Sequence, residues 1–145
     1  SAVFEPKDYA SEEDRNVKIF QCLQEADIQM VLLAGYMRIL SADIVRSYRN
    51  RIINIHPSLI PKYCGMGYYG KRVHEAVLTA GEKETGATVH FVDEGVDTGD
   101  IILQRKVKVL DDDTADVLAE RVLNVEHEII VEAVALVVQS LGGEK

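Results

Sequence analysis

The sequence predicts a doubly wound, mainly parallel α/β fold with an antiparallel edge pair. A continuous apolar run over residues 29–35 is typical of a strand buried on both faces of a parallel sheet. A second apolar run, residues 51–56, follows a short helical segment, as in a βα crossover. Residues 87–92 and 101–110 alternate in polarity around an acidic stretch, which is typical of paired antiparallel strands.

Length and composition indicate one globular domain. The 145 residues are 47% hydrophobic, enough for a sizeable core. No apolar run approaches the length of a membrane span, and the first residues lack a signal-peptide core, so we expect no membrane partner. The net charge of −8 argues against a nucleic-acid partner. Cys22 and Cys64 have neither metal nor redox spacing, which favours reduced thiols in a cytoplasmic protein.

The first elements begin at recognisable caps. Ser11 with Asp14 forms a capping box, which predicts a helix over residues 11–26. The side chains expected to be buried on this helix are Val17, Phe20 and Leu23. After the first strand and a loop at residues 37–40, Ser41 is the expected cap of a short helix over residues 42–48.

The second apolar run ends in a polar pair. Alternation along a strand predicts that Asn54 and His56 face one side while Ile53 and Ile55 face the other. Pro57 then ends ladder pairing. Taken alone, this pattern also fits two polar side chains at a strand end that make structural hydrogen bonds and have no catalytic role.

A glycine- and tyrosine-rich loop over residues 57–71 follows and is a candidate lid. A helix is predicted over residues 71–80, with Gly81 at its carboxyl end. A long helix is predicted over residues 114–141, behind three aspartates that suit a helix N-terminus. Its apolar residues recur at helical spacing: Val117, Leu118, Val122, Val125, Ile129 and Val134.

Four ordered segments resemble glycinamide ribonucleotide formyltransferases, the folate-dependent enzymes of purine synthesis. They are GYMRIL (35–40), NIHPSLIPKY (54–63), TGATVHFVDEGVDTGDIILQ (85–104) and VEHEIIVEAV (125–134). The resemblance covers essentially the whole chain and implies the formyltransferase fold, a Rossmann-like sheet with helices on both faces. Pro57 after His56 matches the purine branch, because related formyltetrahydrofolate hydrolases tend to carry another His there and methionyl-tRNA formyltransferases a small residue.

The resemblance implies formyl transfer from 10-formyltetrahydrofolate, as co-substrate, to the amine of glycinamide ribonucleotide, with no metal. Asn54 would donate to the tetrahedral oxyanion, and His56 would transfer a proton. Asp97 would orient His56 and favour its charged form. A calcium site in this acidic loop is disfavoured because the spacing does not fit an EF-hand, and a solvated hairpin turn is the other alternative.

The resemblance also assigns the binding residues. The folate would contact a set drawn from three segments: Met37, Arg38, Ile39, Leu40, Asn54, Val92 and Asp93. Glu126 would contact the ribose of the nucleotide. Without the resemblance, residues 37–40 would read as core and Glu126 as a solvated helix position. Of the other histidines, His90 is expected to be structural or to support the site, and His74 and His127 are expected at the surface.

The chain departs from the family pattern in two places. Glu12 and Glu13 stand where many members carry a basic residue near the folate tail, so tail recognition would need Lys7 or Arg15. The leading strands and phosphate loop of the family are absent, so residues 1–145 are expected to be a formyltransferase domain incomplete at its amino terminus and inactive without that missing segment. A homodimer is left open. The alternative functions are a 10-formyltetrahydrofolate hydrolase and a non-catalytic folate-binding module.

Overall fold

The computed structural model describes residues 9–26, 29–33, 41–95 and 98–142. The helices in these ranges are α1 (Glu12–Glu25), α2 (Ala42–Ser47), α3 (Lys71–Thr79) and α4 (Ala115–Gly142). The strands are β1 (Val31–Leu33), β2 (Ile52–His56), β3 (Glu84–Phe91) and β4 (Ile101–Lys108). Across the described ranges, no helix is both long and apolar enough to span a bilayer.

The four strands form one mixed sheet in the order β1-β2-β3-β4. β1 runs parallel to β2, which is the predicted βα crossover through α2. β3 and β4 form the predicted antiparallel edge pair. β2 and β3 are also antiparallel, a pairing that the sequence did not predict, and it sets Asn54 directly opposite His90.

Helices cover both faces of the sheet at β2. Ile53 belongs to the principal core, which β2 and β3 share with α3 and α4, and Ile55 packs against it. Ile52 points the other way, into a second cluster built on α2. Because adjacent strand residues alternate between faces, β2 places apolar side chains in both clusters.

The predicted helix caps are confirmed. The Ser11 hydroxyl accepts a hydrogen bond from the amide of Asp14 at 3.1 Å, and the Ser41 hydroxyl accepts from the amide of Ile44 at 3.4 Å. Each bond satisfies an amide that has no partner within the first turn of its helix.

Two predictions of burial are wrong. Val17 is 48% exposed because α1 packs Phe20 and Leu23 against the second cluster, and Val17 lies about 60° from Phe20 and about 120° from Leu23 around the helix axis. Leu32 is 45% exposed, although the run that contains it was predicted to be buried on both faces. Its neighbours Val31 and Leu33 pack against the second cluster, and in the described part of the chain β1 is an edge strand whose other face is left uncovered.

Candidate active site

Two polar side chains share one face at the carboxyl end of β2. Asn54 is half-buried, and His56 is only 4% exposed. Ile53 and Ile55 lie on the opposite face with the principal core, as strand alternation predicts. The strand therefore presents an amide and an imidazole to the same space.

The imidazole of His56 is held by the loop that follows β2. Its Nε2 lies 2.7 Å from the carbonyl oxygen of Tyr63. Because a carbonyl oxygen can only accept, Nε2 carries the proton in this bond. Tyr63 has a left-handed backbone, with φ at 52°, and its hydroxyl donates to Glu82 at 3.0 Å. Burial, followed by the Glu82 carboxylate, raises the pKa of the Tyr63 phenol.

Thr88 fastens this loop to the sheet. Its hydroxyl donates to the carbonyl of Ser58 at 2.7 Å and accepts from the amide of Ile60 at 3.2 Å. The side-chain amide of Gln104 donates both to Thr88, at 2.9 Å, and to the carbonyl of Ile60, at 3.1 Å. The start of the loop that carries Tyr63 is thus anchored to β3 and β4.

The amide of Asn54 meets a histidine from the neighbouring strand. Its Nδ2 lies 3.4 Å from Nε2 of His90, which is 2% exposed. Nδ1 of the same ring lies 2.8 Å from the carbonyl oxygen of Phe91. The expectation that His90 supports the site is consistent with these contacts.

His74 is buried, and its predicted surface position is wrong. The side chain is 4% exposed because it lies on the inward stripe of α3 with Val73 and Val77. Burial, followed by the charge of His56, lowers the pKa of His74. The spacing of Val73 and Val77 was the sequence signal that could have placed His74 inside.

Val92 and Asp93 continue from β3 beside β2. The amide of Val92 donates to the carbonyl of Ile52 at 2.9 Å, and its side chain packs against the second cluster. Asp93 accepts from the hydroxyl of Thr98 at 2.5 Å and from the amide of Gly95 at 2.8 Å. The Thr98 bond is the largest cause that lowers the pKa of Asp93, and the hydrogen bond from the amide of Gly95 lowers it further.

Glu126 is half-buried on α4, and burial raises its pKa to about 7. The other predicted site residues, Met37, Arg38, Ile39, Leu40 and Asp97, lie outside the described residues. Within the described ranges, His, Cys, Asp and Glu side chains form no group of three that could hold a metal ion.

A family profile described as "Formyl transferase" matches residues 1–134. The chain belongs to the formyl transferase family. Among curated relatives, this chain is 50% identical over 112 residues to a chloroplastic phosphoribosylglycinamide formyltransferase of Vigna unguiculata. The match covers 77% of this chain and 36% of the relative. The chain is 48% identical over 138 residues to the trifunctional purine biosynthetic protein adenosine-3 of Drosophila melanogaster, with coverage of 95% and 10%. The chain thus spans about a third or less of these relatives.

The fold matches that of solved phosphoribosylglycinamide formyltransferases. The enzyme from Streptococcus pneumoniae superposes with a TM-score of 0.85 at 37% identity, covering 94% of this chain and 73% of that one. A formyltetrahydrofolate deformylase from Pseudomonas syringae superposes with a TM-score of 0.79 but is only 28% identical. The predicted formyltransferase fold is therefore confirmed.

Proposed function

We propose that the protein transfers a formyl group from 10-formyltetrahydrofolate to the amine of glycinamide ribonucleotide. The observation that carries this proposal is the pairing of Asn54 and His56 on one face at the end of β2, each side chain in a hydrogen bond to a defined partner. Side chains that are already held in one orientation can stabilise the charge of a transition state without reorganising during the reaction.

The reaction requires a new C–N bond and the loss of an old one. The amine nitrogen attacks the formyl carbon, and the carbonyl electron pair moves to oxygen. Collapse of this tetrahedral oxyanion breaks the bond to N10 of the folate, while the amine loses one proton and N10 gains one. Asn54 would donate an N–H to the oxyanion, and His56 would carry the proton between the two nitrogens.

The remaining assignments are also proposals. Asp97 would orient His56 and support its charged form, as a nearby carboxylate does for an imidazole. The pterin ring would lie against residues 37–40 with Val92 and Asp93 on the other side, and Glu126 would contact the ribose hydroxyls. The phosphate would be held by a segment of the same protein amino-terminal to residue 1. We place the protein in the cytoplasm, consistent with two free cysteines.

The competing function is hydrolysis, in which water replaces the amine as acceptor on the same Asn, His and Asp. Identity to the deformylase is 28%, against 50% to the formyltransferase of Vigna unguiculata, which favours transfer. A non-catalytic folate-binding module would have no need for Asn54 and His56 to be oriented together.

Three substitutions test the catalytic assignments in the full-length protein. Asn54→Ala and His56→Ala should each lower kcat by at least about 100-fold, with smaller effects on KM, because both groups act on the transition state. Asp97→Asn should also lower kcat, because it removes the carboxylate that would favour the charged form of His56. His127→Ala is the matched control, since His127 is an exposed histidine of α4. Turnover near the wild-type value in any of the three variants would remove that residue from the mechanism.

A further inference from the structure

We propose that His90 is a positioning residue, which selects the orientation of the Asn54 side-chain amide in which an N–H, not the carbonyl oxygen, faces the reacting formyl group. The inference rests on the proposed function for its catalytic consequence. Its structural basis is the hydrogen bond between the side chains of Asn54 and His90.

The ring of His90 is oriented from its far side. Nδ1 lies 2.8 Å from the carbonyl oxygen of Phe91, and a carbonyl can only accept, so Nδ1 carries a proton. In the neutral ring, Nε2 then has a lone pair and must act as an acceptor. Nδ2 of Asn54 lies 3.4 Å from that nitrogen. The pair is therefore matched when Asn54 turns its NH₂ group, and not its oxygen, toward His90.

The backbone brings the two side chains together. Asn54 and His90 are direct partners in the antiparallel ladder of β2 and β3. On its other edge, β3 pairs with β4, and the register shifts between Val89 and His90. Such bulges commonly re-aim a side chain next to a functional site. Because His90 is 2% exposed, water competes little for its ring nitrogens.

The side-chain amide of Asn54 has two orientations of similar energy, so a neighbouring group must select one of them. The terminal torsion of Asn is broad and roughly two-fold, so the NH₂ group and the oxygen can exchange places at small cost. In the exchanged orientation, the oxygen of Asn54 would face the developing oxyanion and repel it. The bond to His90 uses one N–H of the NH₂ group and leaves the second N–H on the same nitrogen to donate.

Removing the acceptor should lower turnover by a moderate factor. In the full-length protein, we expect His90→Leu to reduce kcat by about 3- to 10-fold, which matches the usual worth of one hydrogen bond, with little change in KM. His90→Gln should recover most of the loss because its side-chain oxygen can accept from Asn54. His127→Leu, an exposed site on α4, is the matched control and should not change kcat.

Two results separate positioning from a general structural effect. In an Asn54→Ala background, His90→Leu should change kcat by less than about 2-fold, because no amide remains to be oriented. In the wild-type protein, long-range ¹H–¹⁵N NMR should find neutral His90 protonated at Nδ1. This second measurement uses no catalytic activity and remains decisive if a variant fails to fold.

The proposal is overturned if His90→Leu keeps wild-type kcat, if its loss is as large without Asn54, if Gln is no better than Leu, or if the proton resides on Nε2. A wild-type protein that transfers no formyl group would instead contradict the proposed function. The NMR result would then still decide the tautomer.

Discussion

Glu126→Gln should stabilise the protein at neutral pH and hardly at all in acid. Burial raises the pKa of this carboxyl from 4.5 to about 7. At about 1.4 kcal/mol for each tenfold change in proton affinity, holding the ionised group in the folded protein costs roughly 3 kcal/mol.

The sign follows from proton binding. Between pH 4.5 and about 7 the folded protein binds more protons at Glu126 than the unfolded chain does, so this group lowers stability as pH rises through that window. Gln has nearly the same shape and no charge, so the variant lacks this loss. The gain of the variant over the wild type should grow by roughly 2–3 kcal/mol between about pH 4.5 and about pH 7.5.

The assay is urea unfolding of both proteins at the two pH values, with Glu120→Gln as control. Glu120 is an exposed carboxylate on the same helix, so its removal changes the net charge equally without removing a buried one. The difference between pH values cancels any constant effect of burying the Gln amide. A stability difference between Glu126→Gln and wild type that is the same at both pH values would refute the assignment of a buried, neutralised carboxyl.

A further prediction concerns the pH dependence of stability at His74. Burial and the charge of His56 lower the pKa of His74, so wild-type stability should be lost as pH falls below the unfolded value of 6.5, and His74→Gln should weaken that dependence in urea unfolding between about pH 7 and about pH 5. An identical pH slope in the two proteins would show that His74 does not titrate in this way.

The sequence predicted much of the fold because its signals are local. Ser11 and Ser41 cap their helices through contacts three residues away, and both caps were readable without tertiary structure. Val17 and Leu32 were misplaced because burial depends on what the rest of the chain brings against a helix or strand. Apolar character alone carries no such information.

Some features of the candidate site could also be predicted from local rules, and others depend on tertiary contacts. Asn54 and His56 could be placed on one face because alternation along β2 is a local rule. The contacts that hold these two side chains could not be predicted, although His90 was expected to be structural or to support the site. His90 reaches Asn54 through the unpredicted pairing of β2 with β3, and Tyr63 holds His56 through a backbone carbonyl, which leaves no mark in the side-chain pattern.

The central claim is that the amine of glycinamide ribonucleotide, not water, takes the formyl group. The most direct measurement follows an isotopically labelled formyl group of 10-formyltetrahydrofolate in the full-length protein, with and without glycinamide ribonucleotide. The account predicts that the label appears on the ribonucleotide amine and that little is released as formate when the nucleotide is absent. Equal release of labelled formate in both reactions, with no label on the nucleotide, would contradict it.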